Sequence, residues 1–285
     1  MKRGYIYLLI AALAYASMGI LVKFLAHELS PLWQVTFRLV ISTLLAYVFL
    51  KLRRKKTLLH SKKFWPLMLF MGVIAFGTSM LAYTYAFNYT AVSNVLFILS
   101  TYPILTALFA YFFLKEKLTK YHIAGLFILV VGTILIFNPA NFFANLFGNM
   151  LSFYVALTFS IYIVISRFLS NKGEDAETIT FLSIAIGAVS TGIYAILFDK
   201  IPHAISFPTL LGILLFGALN FVANGLVNLG FKTAKASLGT MILMLEGIIG
   251  SILAFFIFRE SPTVLFSIGA CLVLFSVYIS TKNTN

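Results

Sequence analysis

The sequence predicts an all-α integral membrane protein with ten transmembrane helices, arranged as two inverted five-helix repeats. Three observations lead to this prediction: an internal duplication, a series of apolar segments long enough to cross a bilayer, and the placement of the basic residues. Of the residues, 61% are hydrophobic and 10% are charged, whereas about 25% of the residues in a soluble domain are charged. The composition therefore indicates a chain that resides in lipid.

The duplication is visible when the chain is aligned with itself at an offset of 144 residues. Segments Asn94–Gly125 and Leu238–Gly269 then pair without a gap. Identical residues recur at the same offset: Gly4 and Gly148, Glu116 and Glu260, and Gly125 and Gly269. We therefore expect a first repeat over 1–141 and a second over 145–285. Internal repeats in a membrane chain are typical of transporters whose substrate site lies between the halves.

Apolar segments of about 20 residues, the length that spans a bilayer, recur along the whole chain. We interpret ten of them as spans: 4–25, 31–50, 64–86, 92–114, 121–138, 149–169, 178–198, 207–230, 236–258 and 263–281. No connector is long enough to form a separate soluble domain. The first segment resembles a signal peptide, but its apolar run continues to Leu25 and recurs at Met150–Leu169. We interpret it as a retained span.

The basic residues predict the orientation, because Lys and Arg concentrate in cytoplasmic loops. With the N-terminus in the cytoplasm, 17 of the 21 basic residues fall on the cytoplasmic side, including those of the run Lys51–Lys63. We expect a multi-pass protein of the cell (inner) membrane with both termini cytoplasmic and the connector 138–147 outside. Five spans per repeat would invert the second repeat relative to the first. The net charge of +13 then reflects contact with anionic lipid headgroups rather than nucleic acid.

Several residues of the first repeat carry a family resemblance. Pro103 lies in mid-span, the turn Phe112–Leu118 reads FFLKEKL, and Gly125 and Gly132 follow in the next span. This segment resembles the drug/metabolite transporter superfamily, specifically its EamA-type members. The resemblance covers the whole chain and implies a ten-helix carrier with a central cavity and alternating access. Substrates in the family include amino acids, nucleobases, sugars, quaternary amines and drugs, so the resemblance does not name the substrate.

The second repeat departs from the family pattern at one position. Leu245-Glu246 is followed by Gly247, where the family often has proline. We expect Pro103 and Gly247 to act as hinge positions, and Gly250 to form a smooth contact face with Gly247.

Glu246 is the one acidic residue that the sequence places deep within a span. A charged carboxylate at a span centre costs roughly 2.5–3.5 kcal/mol, so Glu246 should face the bundle interior. It would serve as a proton carrier or as the counter-ion of a cationic substrate. The alternative is a neutral carboxyl that is hydrogen-bonded to a neighbouring helix. Tyr102, its counterpart at the repeat offset, is uncharged, and this asymmetry favours a specialised site.

Asn220, Asn224 and Asn228 recur every four residues and share one helix face. Because three carboxamides facing lipid would be costly, they must line a wet cavity or bond across helices. We expect Asn220 and Asn224 to line the cavity, with Met80, Thr84 and the nearby Tyr83 of the third span on the opposite wall.

Arg38 lies about two turns inside the second span. It would bind a substrate carboxylate, extend to the headgroups or hold helices together through carbonyl groups, and the resemblance favours a structural role. Tyrosines in mid-span need hydroxyl partners, and their rings suit an organic cation. The candidates are Tyr15, Tyr83, Tyr102 and Tyr162.

The sequence argues against an enzyme. It contains no Walker loop, no His-Glu-x-x-His and no Gly-x-Ser-x-Gly, its four histidines are scattered, and Cys271 is its single cysteine. We therefore expect no catalytic residue, cofactor or metal.

The prediction is a secondary active or facilitative transporter that exports a small polar metabolite, an amino acid or a related solute. Glu246, Arg38 and the asparagines would meet both ends of a zwitterion. The alternatives are a multidrug or organic-cation transporter of the same fold and, beyond these, an intramembrane enzyme or a non-transporting scaffold.

Overall fold

The computed structural model describes residues 2–90, 92–137, 145–202, 205–258 and 264–282. Within these ranges the regular structure is helical throughout, without a strand, and the predicted all-α class is confirmed. Seven helices are long and apolar enough to cross a membrane, and three shorter apolar helices accompany them in the described ranges. The count of ten spans and the orientation of the termini remain predictions.

We number ten helical elements in chain order, counting each of two interrupted helices once. They are α1 Lys2–Leu25, α2 Pro31–Leu52, α3 Lys62–Tyr89, α4 with segments Val92–Leu99 and Tyr102–Phe113, α5 Lys120–Phe137, α6 Leu146–Asn171, α7 Ala176–Phe198, α8 Phe207–Phe231, α9 with segments Ala236–Leu243 and Leu245–Phe258, and α10 Val264–Lys282. Elements α1–α5 come from the first repeat and α6–α10 from the second.

The helix α4 is interrupted in mid-span at Ser100 and Thr101 and resumes at Tyr102. Pro103 is responsible, because it has no N–H to donate the hydrogen bond that the carbonyl of Leu99 would accept in a continuous helix. Its favoured position in the first turn of a helix also suits the restart of the second segment.

The helix α9 is interrupted at the equivalent position, although no proline is present. Met244 breaks the helix, and the N–H of Gly247 donates to the carbonyl of Met244 at 3.2 Å. Met244 lies 144 residues after Ser100. The interruption is therefore a property of the repeat, and the chain retains it where glycine replaces proline.

Part of α3 is a π-helix, from Met71 to Thr78. Its two glycines face α7: a Cβ on Gly72 would lie 2.6 Å from Cβ of Ile186, and one on Gly77 would lie 2.5 Å from Oγ of Ser190. The wide turns and the missing side chains let α3 approach α7 closely. π-Helical turns often occur next to functional sites, and the turns that follow this one face the cavity described below.

The two repeats are intertwined rather than separate. Helix α1 packs on α8 and α9, and its counterpart α6 packs on α3 and α4. Helix α2 packs on α8, and its counterpart α7 packs on α3. Two four-helix bundles result, each drawn from both repeats: the α1 bundle (α1, α2, α8 and α9) and the α6 bundle (α3, α4, α6 and α7). The pair α2–α7 joins the bundles, and α5 packs along α10.

The pair α5–α10 meets at two glycines. A Cβ on Gly132 would lie 2.8 Å from the carbonyl oxygen of Gly269, and one on Gly269 would lie 2.5 Å from that of Gly132. The helix backbones are therefore in direct contact, as small residues permit in membrane helices. Gly250 differs, because a Cβ there would lie 3.8 Å from the carbonyl oxygen of Ala16, which is an ordinary contact distance.

Loops tie the bundles together at both ends of the pair α2–α7. At one end, which we call the Glu28 joint, the Glu28 carboxylate accepts from Ser206 N at 3.0 Å and Trp33 Nε1 donates to Lys200 O at 2.7 Å. Hydrogen bonding from Ser206 lowers the pKa of the Glu28 carboxyl.

At the other end, the Glu174 joint, the Glu174 carboxylate accepts from His60 N at 2.8 Å and from Ser61 N at 3.0 Å. Lys55 forms an ion pair with Asp175 at 3.0 Å. The segments of this joint lie 144 residues from those of the Glu28 joint. The first loop of each repeat thus contacts the second loop of the other repeat, as expected of two repeats related by pseudo-twofold symmetry.

Candidate substrate cavity

A cavity lies between the α1 bundle and the α6 bundle, near the middle of the helices. About 630 Å³ between its walls, including space that is open to solvent, is free of protein atoms. Its polar and charged lining consists of Tyr15, Arg38, Ser79, Tyr83, Tyr102 and Glu246. Five of the eight substrate-binding candidates from the sequence are therefore brought together, although they are spread from α1 to α9.

Arg38 is buried, with 2% of its surface exposed, so its side chain does not extend to the headgroups. Its Nη2 lies 3.5 Å from the carbonyl oxygen of Met80, and its Cζ lies 4.7 Å from the ring centroid of Phe216. Nε has no hydrogen-bond partner, and no acidic residue of the described ranges forms an ion pair with Arg38. The described residues therefore leave part of the guanidinium's hydrogen-bonding capacity unsatisfied.

Glu246 lies in the first turn of the second segment of α9. In the described part of the chain its carboxyl forms neither a hydrogen bond nor an ion pair. The phenols of Tyr15, Tyr83 and Tyr102 are close enough to interact with it electrostatically. The positive end of a helix dipole favours a negative charge at this position.

The interruptions of α4 and α9 position two of the lining residues. Tyr102 begins the second segment of α4, and Glu246 holds the equivalent position in α9. Discontinuous helices commonly form substrate sites in transporters with internal repeats, because they present helix ends in mid-membrane. The duplicated interruption therefore places one phenol and one carboxylate on the same cavity.

The remaining lining is apolar: Met18, Met80, Leu99, Val155 and Phe159. Of these, Met80 was expected from the sequence and Phe159 was not. Phe159 is the repeat counterpart of Tyr15, and the two rings meet edge to face with centroids 6.3 Å apart. Its ring centroid is also 5.3 Å from that of Tyr102. Its position 144 residues after Tyr15 is the signal in the sequence that could have identified it.

Asn220 and Asn224 are fully buried and do not line the cavity, contrary to expectation. Asn224 Oδ1 accepts from the hydroxyl of Tyr15 at 2.9 Å, and its amide donates to the carbonyl oxygen of Asn220 at 2.8 Å. Asn220 donates to the hydroxyl of Ser42 at 3.0 Å. A carboxamide carries donors and an acceptor together, and the two asparagines use theirs on each other, on Ser42 of α2 and on Tyr15 of α1.

Tyr162 and Asn228 form a separate polar cluster away from the cavity lining. The amide of Asn228 donates to Tyr162 Oη at 2.7 Å and to Thr180 Oγ1 at 2.8 Å, and the hydroxyl of Ser166 donates to Asn228 Oδ1. The ring of Tyr162 packs against that of Phe76, with centroids 5.5 Å apart. These contacts join α6, α7 and α8.

A second charged cluster, the Glu116 cluster, links the two bundles at the end of the molecule that also carries the Glu174 joint. Arg167 Nε lies 2.6 Å from Glu116 Oε1, an ion pair without the angle of a hydrogen bond. Arg167 Nη1 donates to the carbonyl oxygen of Phe231 at 2.9 Å, and Glu116 accepts from Ala236 N at 3.1 Å. The cluster therefore connects α6 and the α4–α5 loop to the α8–α9 loop.

Membrane-competent helices around a cavity with unpaired charges define a class, the membrane transporters, because ionisable groups at this depth mark substrate or ion pathways. The chain matches the EamA-like transporter family over residues 2–138 and again over residues 146–282. It belongs to this family, and with it to the drug/metabolite transporter superfamily, whose members are transporters rather than enzymes.

Relatives of known sequence agree with this assignment. An uncharacterized transporter of Clostridium kluyveri is 27% identical over 100% of this chain and 96% of its own length. The uncharacterized transporter YyaM of Bacillus subtilis is 27% identical over 73% of this chain and 70% of its own length. A solved crystal structure superposes with a TM-score of 0.83 at 17% identity, covering 98% of this chain and 97% of that one. At this identity the last comparison supports the fold alone.

Proposed function

We propose that this chain is a secondary active or facilitative carrier that exports a small zwitterion, an amino acid or a closely related solute, by alternating access. It resides in the cell (inner) membrane with ten spans and both termini cytoplasmic. Residues 1–141 and 145–285 form its two inverted repeats. The proposal extends the family's general role in transport to a substrate class, a direction and a topology.

One observation carries the substrate class: Arg38 and Glu246 line the same cavity and do not pair with each other. A buried charge is costly unless an opposite charge compensates it. A ligand with a carboxylate and an ammonium compensates both residues at once, whereas an ion of either sign leaves the other residue uncompensated. The apolar part of the lining suits the substrate's side chain.

The movement that we propose differs from a rocking of one repeat against the other. Because the repeats are intertwined, the α1 bundle and the α6 bundle are the units that can move relative to each other, and the cavity lies between them. The repeat offset of 144 residues relates each helix of the α1 bundle to a helix of the α6 bundle. An arrangement open to one side therefore has a structurally similar counterpart open to the other side.

A carrier for organic cations is the second candidate. The rings of Tyr15, Tyr83, Tyr102 and Phe159 surround the cavity that contains Glu246, and such surfaces attract cations. Arg38 opposes this candidate, because a purely cationic ligand leaves the guanidinium uncompensated and close to a like charge.

Matched ligands separate the two candidates. Purified protein would be heated with leucine, with its decarboxylated analogue 3-methylbutylamine and with its deaminated analogue 4-methylpentanoate. A ligand that binds only the folded state raises the apparent melting temperature. We expect the largest rise with leucine or with another zwitterion of a panel extended to methionine, phenylalanine and serine.

Counterflow of the same radiolabelled amino acid in proteoliposomes would then test transport. Stabilisation by the amine alone would favour the organic-cation carrier. A panel in which no zwitterion binds or exchanges would contradict the proposed substrate class.

A further inference from the structure

A series of buried hydrogen bonds connects Tyr15 in the cavity wall to Asn224 and Asn220 of α8 and to Ser42 of α2. In each bond the donor and the acceptor can be assigned. Ser42 donates to the carbonyl oxygens of Arg38 at 2.6 Å and Gly217 at 2.7 Å. Asn220 donates to the Ser42 hydroxyl at 3.0 Å. Because backbone carbonyls can only accept, the Ser42 proton points to them, and its oxygen must accept from Asn220.

The same reasoning fixes Asn224. Its nitrogen faces the carbonyl oxygen of Asn220 at 2.8 Å and Asn220 Oδ1 at 3.2 Å. Since both of these oxygens accept, the two amide hydrogens of Asn224 are used, and its Oδ1 must be the atom that faces Tyr15. Tyr15 Oη lies 2.9 Å from this oxygen, so the Tyr15 hydroxyl has to donate to it.

We infer that Asn224 is a positioning residue that makes the Tyr15 hydroxyl an acceptor toward the cavity, so that the site selects a substrate amino group over an oxo group. The Tyr15 proton is held by Asn224, and only the lone pairs of its oxygen remain for a ligand. Glu246, which interacts electrostatically with Tyr15, is also an acceptor when ionised. An ammonium group offers three donors to these atoms, whereas an oxo group offers none.

This inference rests on the proposed function and adds a selectivity to it. A site whose buried polar atoms require a donor rejects an analogue that lacks one more strongly than a site built on apolar contacts. Tyr83 is not fixed in this way, because its hydroxyl has no hydrogen-bond partner in the described ranges. The selectivity therefore depends on Tyr15 and on Asn224 behind it.

The test compares leucine with 4-methyl-2-oxopentanoate, which has the same carbon skeleton and an oxo group in place of the ammonium. Binding to purified wild-type and variant proteins would be measured by displacement of radiolabelled leucine. In the wild type we expect leucine to bind at least about tenfold more tightly, the factor that one hydrogen bond to a charged group supplies. In Asn224→Leu the Tyr15 proton is released and can donate to the oxo group, so binding of the oxo acid should strengthen by about tenfold.

Because the expected effect is a gain of binding, loss of folded protein cannot produce it. Asn228→Leu is the matched control, since it removes a buried carboxamide from the same helix without touching Tyr15, and it should leave the ratio of the two affinities unchanged. Adding Tyr15→Phe to Asn224→Leu should abolish the gain. If Asn224→Leu does not fold, Tyr15→Phe alone serves, because loss of the phenol oxygen should lower the preference for leucine.

The possible failures are distinct. Leucine binding with an unaltered ratio in Asn224→Leu, or an equal change in Asn228→Leu, would overturn the inference and leave the proposed function intact. Failure of leucine and of all the other zwitterions of the panel to bind the wild type would overturn both.

Discussion

At the scale of single residues, the cavity is distinguished by two ionisable side chains, Arg38 and Glu246, that have no ion-pair partner in the described ranges. Glu246 and Arg38 lack ion-pair partners in the described ranges, whereas Arg167, another buried arginine, pairs with Glu116. A side chain retained for packing alone would be expected to have its charge satisfied within the fold. The contrast between Arg38 and Arg167 therefore supports the ligand-binding role that we propose for Arg38.

Arg38→Met should retain or raise the stability of the ligand-free protein, by up to about 3 kcal/mol, because an apolar chain replaces an uncompensated buried charge. The same variant should lose the rise in melting temperature that a zwitterion produces. Arg167→Met is the control and should lower stability by about 3–5 kcal/mol, since it leaves Glu116 unpaired. A large loss of stability in Arg38→Met would instead indicate a helix-locking role.

Glu246→Gln should weaken leucine binding by about tenfold or more, because the amide retains the shape of the carboxyl and loses its charge. Isothermal titration of wild type and variant measures this directly. Flux measured against pH in proteoliposomes adds a second readout: if Glu246 also carries a proton, the pH dependence of wild-type flux should be absent from the variant. Unaltered affinity for leucine together with an unaltered pH dependence of flux would show that Glu246 serves neither substrate binding nor proton coupling.

At the scale of helices and loops, the Glu116 cluster and the two joints connect the α1 bundle to the α6 bundle. The joints connect both ends of the α2–α7 pair, and the Glu116 cluster crosses between the bundles beside the cavity helices α4, α6 and α9. Glu116 and Arg167 are largely buried, with side-chain exposures of 8% and 14%. At such burial the loss of one partner leaves an unpaired charge and is strongly destabilising.

A double-mutant cycle tests this coupling. Glu116→Gln and Arg167→Met should each destabilise the protein, and the double variant should be less destabilised than the sum of the two, by about 1–3 kcal/mol of interaction energy. Unfolding of purified protein in detergent provides the measurement. The pair Lys55 and Asp175, which is more exposed with side-chain exposures of 37% and 19%, is the comparison and should show a coupling below about 1 kcal/mol. Additive effects at Glu116 and Arg167 would show that the ion pair does not stabilise the Glu116 cluster.

At the scale of the whole molecule, duplication and intertwining give one chain two exchangeable bundles. Each contact of the α1 bundle with its own members has a counterpart in the α6 bundle at the repeat offset. This equivalence supports the alternating-access mechanism that we propose, which requires two related arrangements of similar free energy. The predicted orientation of these bundles in the membrane rests on the distribution of the basic residues.

Labelling at Asn141 tests that orientation. Asn141 lies outside the described residues, in the connector that the charge distribution predicts to be extracytoplasmic. In a Cys271→Ser background, Asn141→Cys should react with a membrane-impermeant maleimide added to intact cells. Arg54→Cys lies in the loop between α2 and α3, which the charge distribution predicts to be cytoplasmic. It should react only after the cells are opened. The reverse pattern would contradict the predicted topology.

Particular residues show how far the sequence could be used to locate the site. Glu246 and Arg38 were identified because charge within an apolar segment is costly wherever the helices pack. Asn224 was placed on the cavity wall, but it lies behind Tyr15, because a periodic stripe identifies a helix face and not the neighbour that covers it. Phe159 was missed, since one phenylalanine among 30 carries no local signal, although its position 144 residues after Tyr15 does.

The sequence by itself determined the membrane class, the duplication and the family, because composition, periodicity and repeat register are properties of the chain before it folds. It also determined which charges lie within apolar segments. Only the tertiary structure decided that the repeats interleave into two mixed bundles, that Arg167 is paired while Arg38 is not, and that Tyr15 donates a hydrogen bond to Asn224. These features depend on contacts between helices distant in sequence, and hydrophobic patterning specifies the buried face of each helix without specifying its partner.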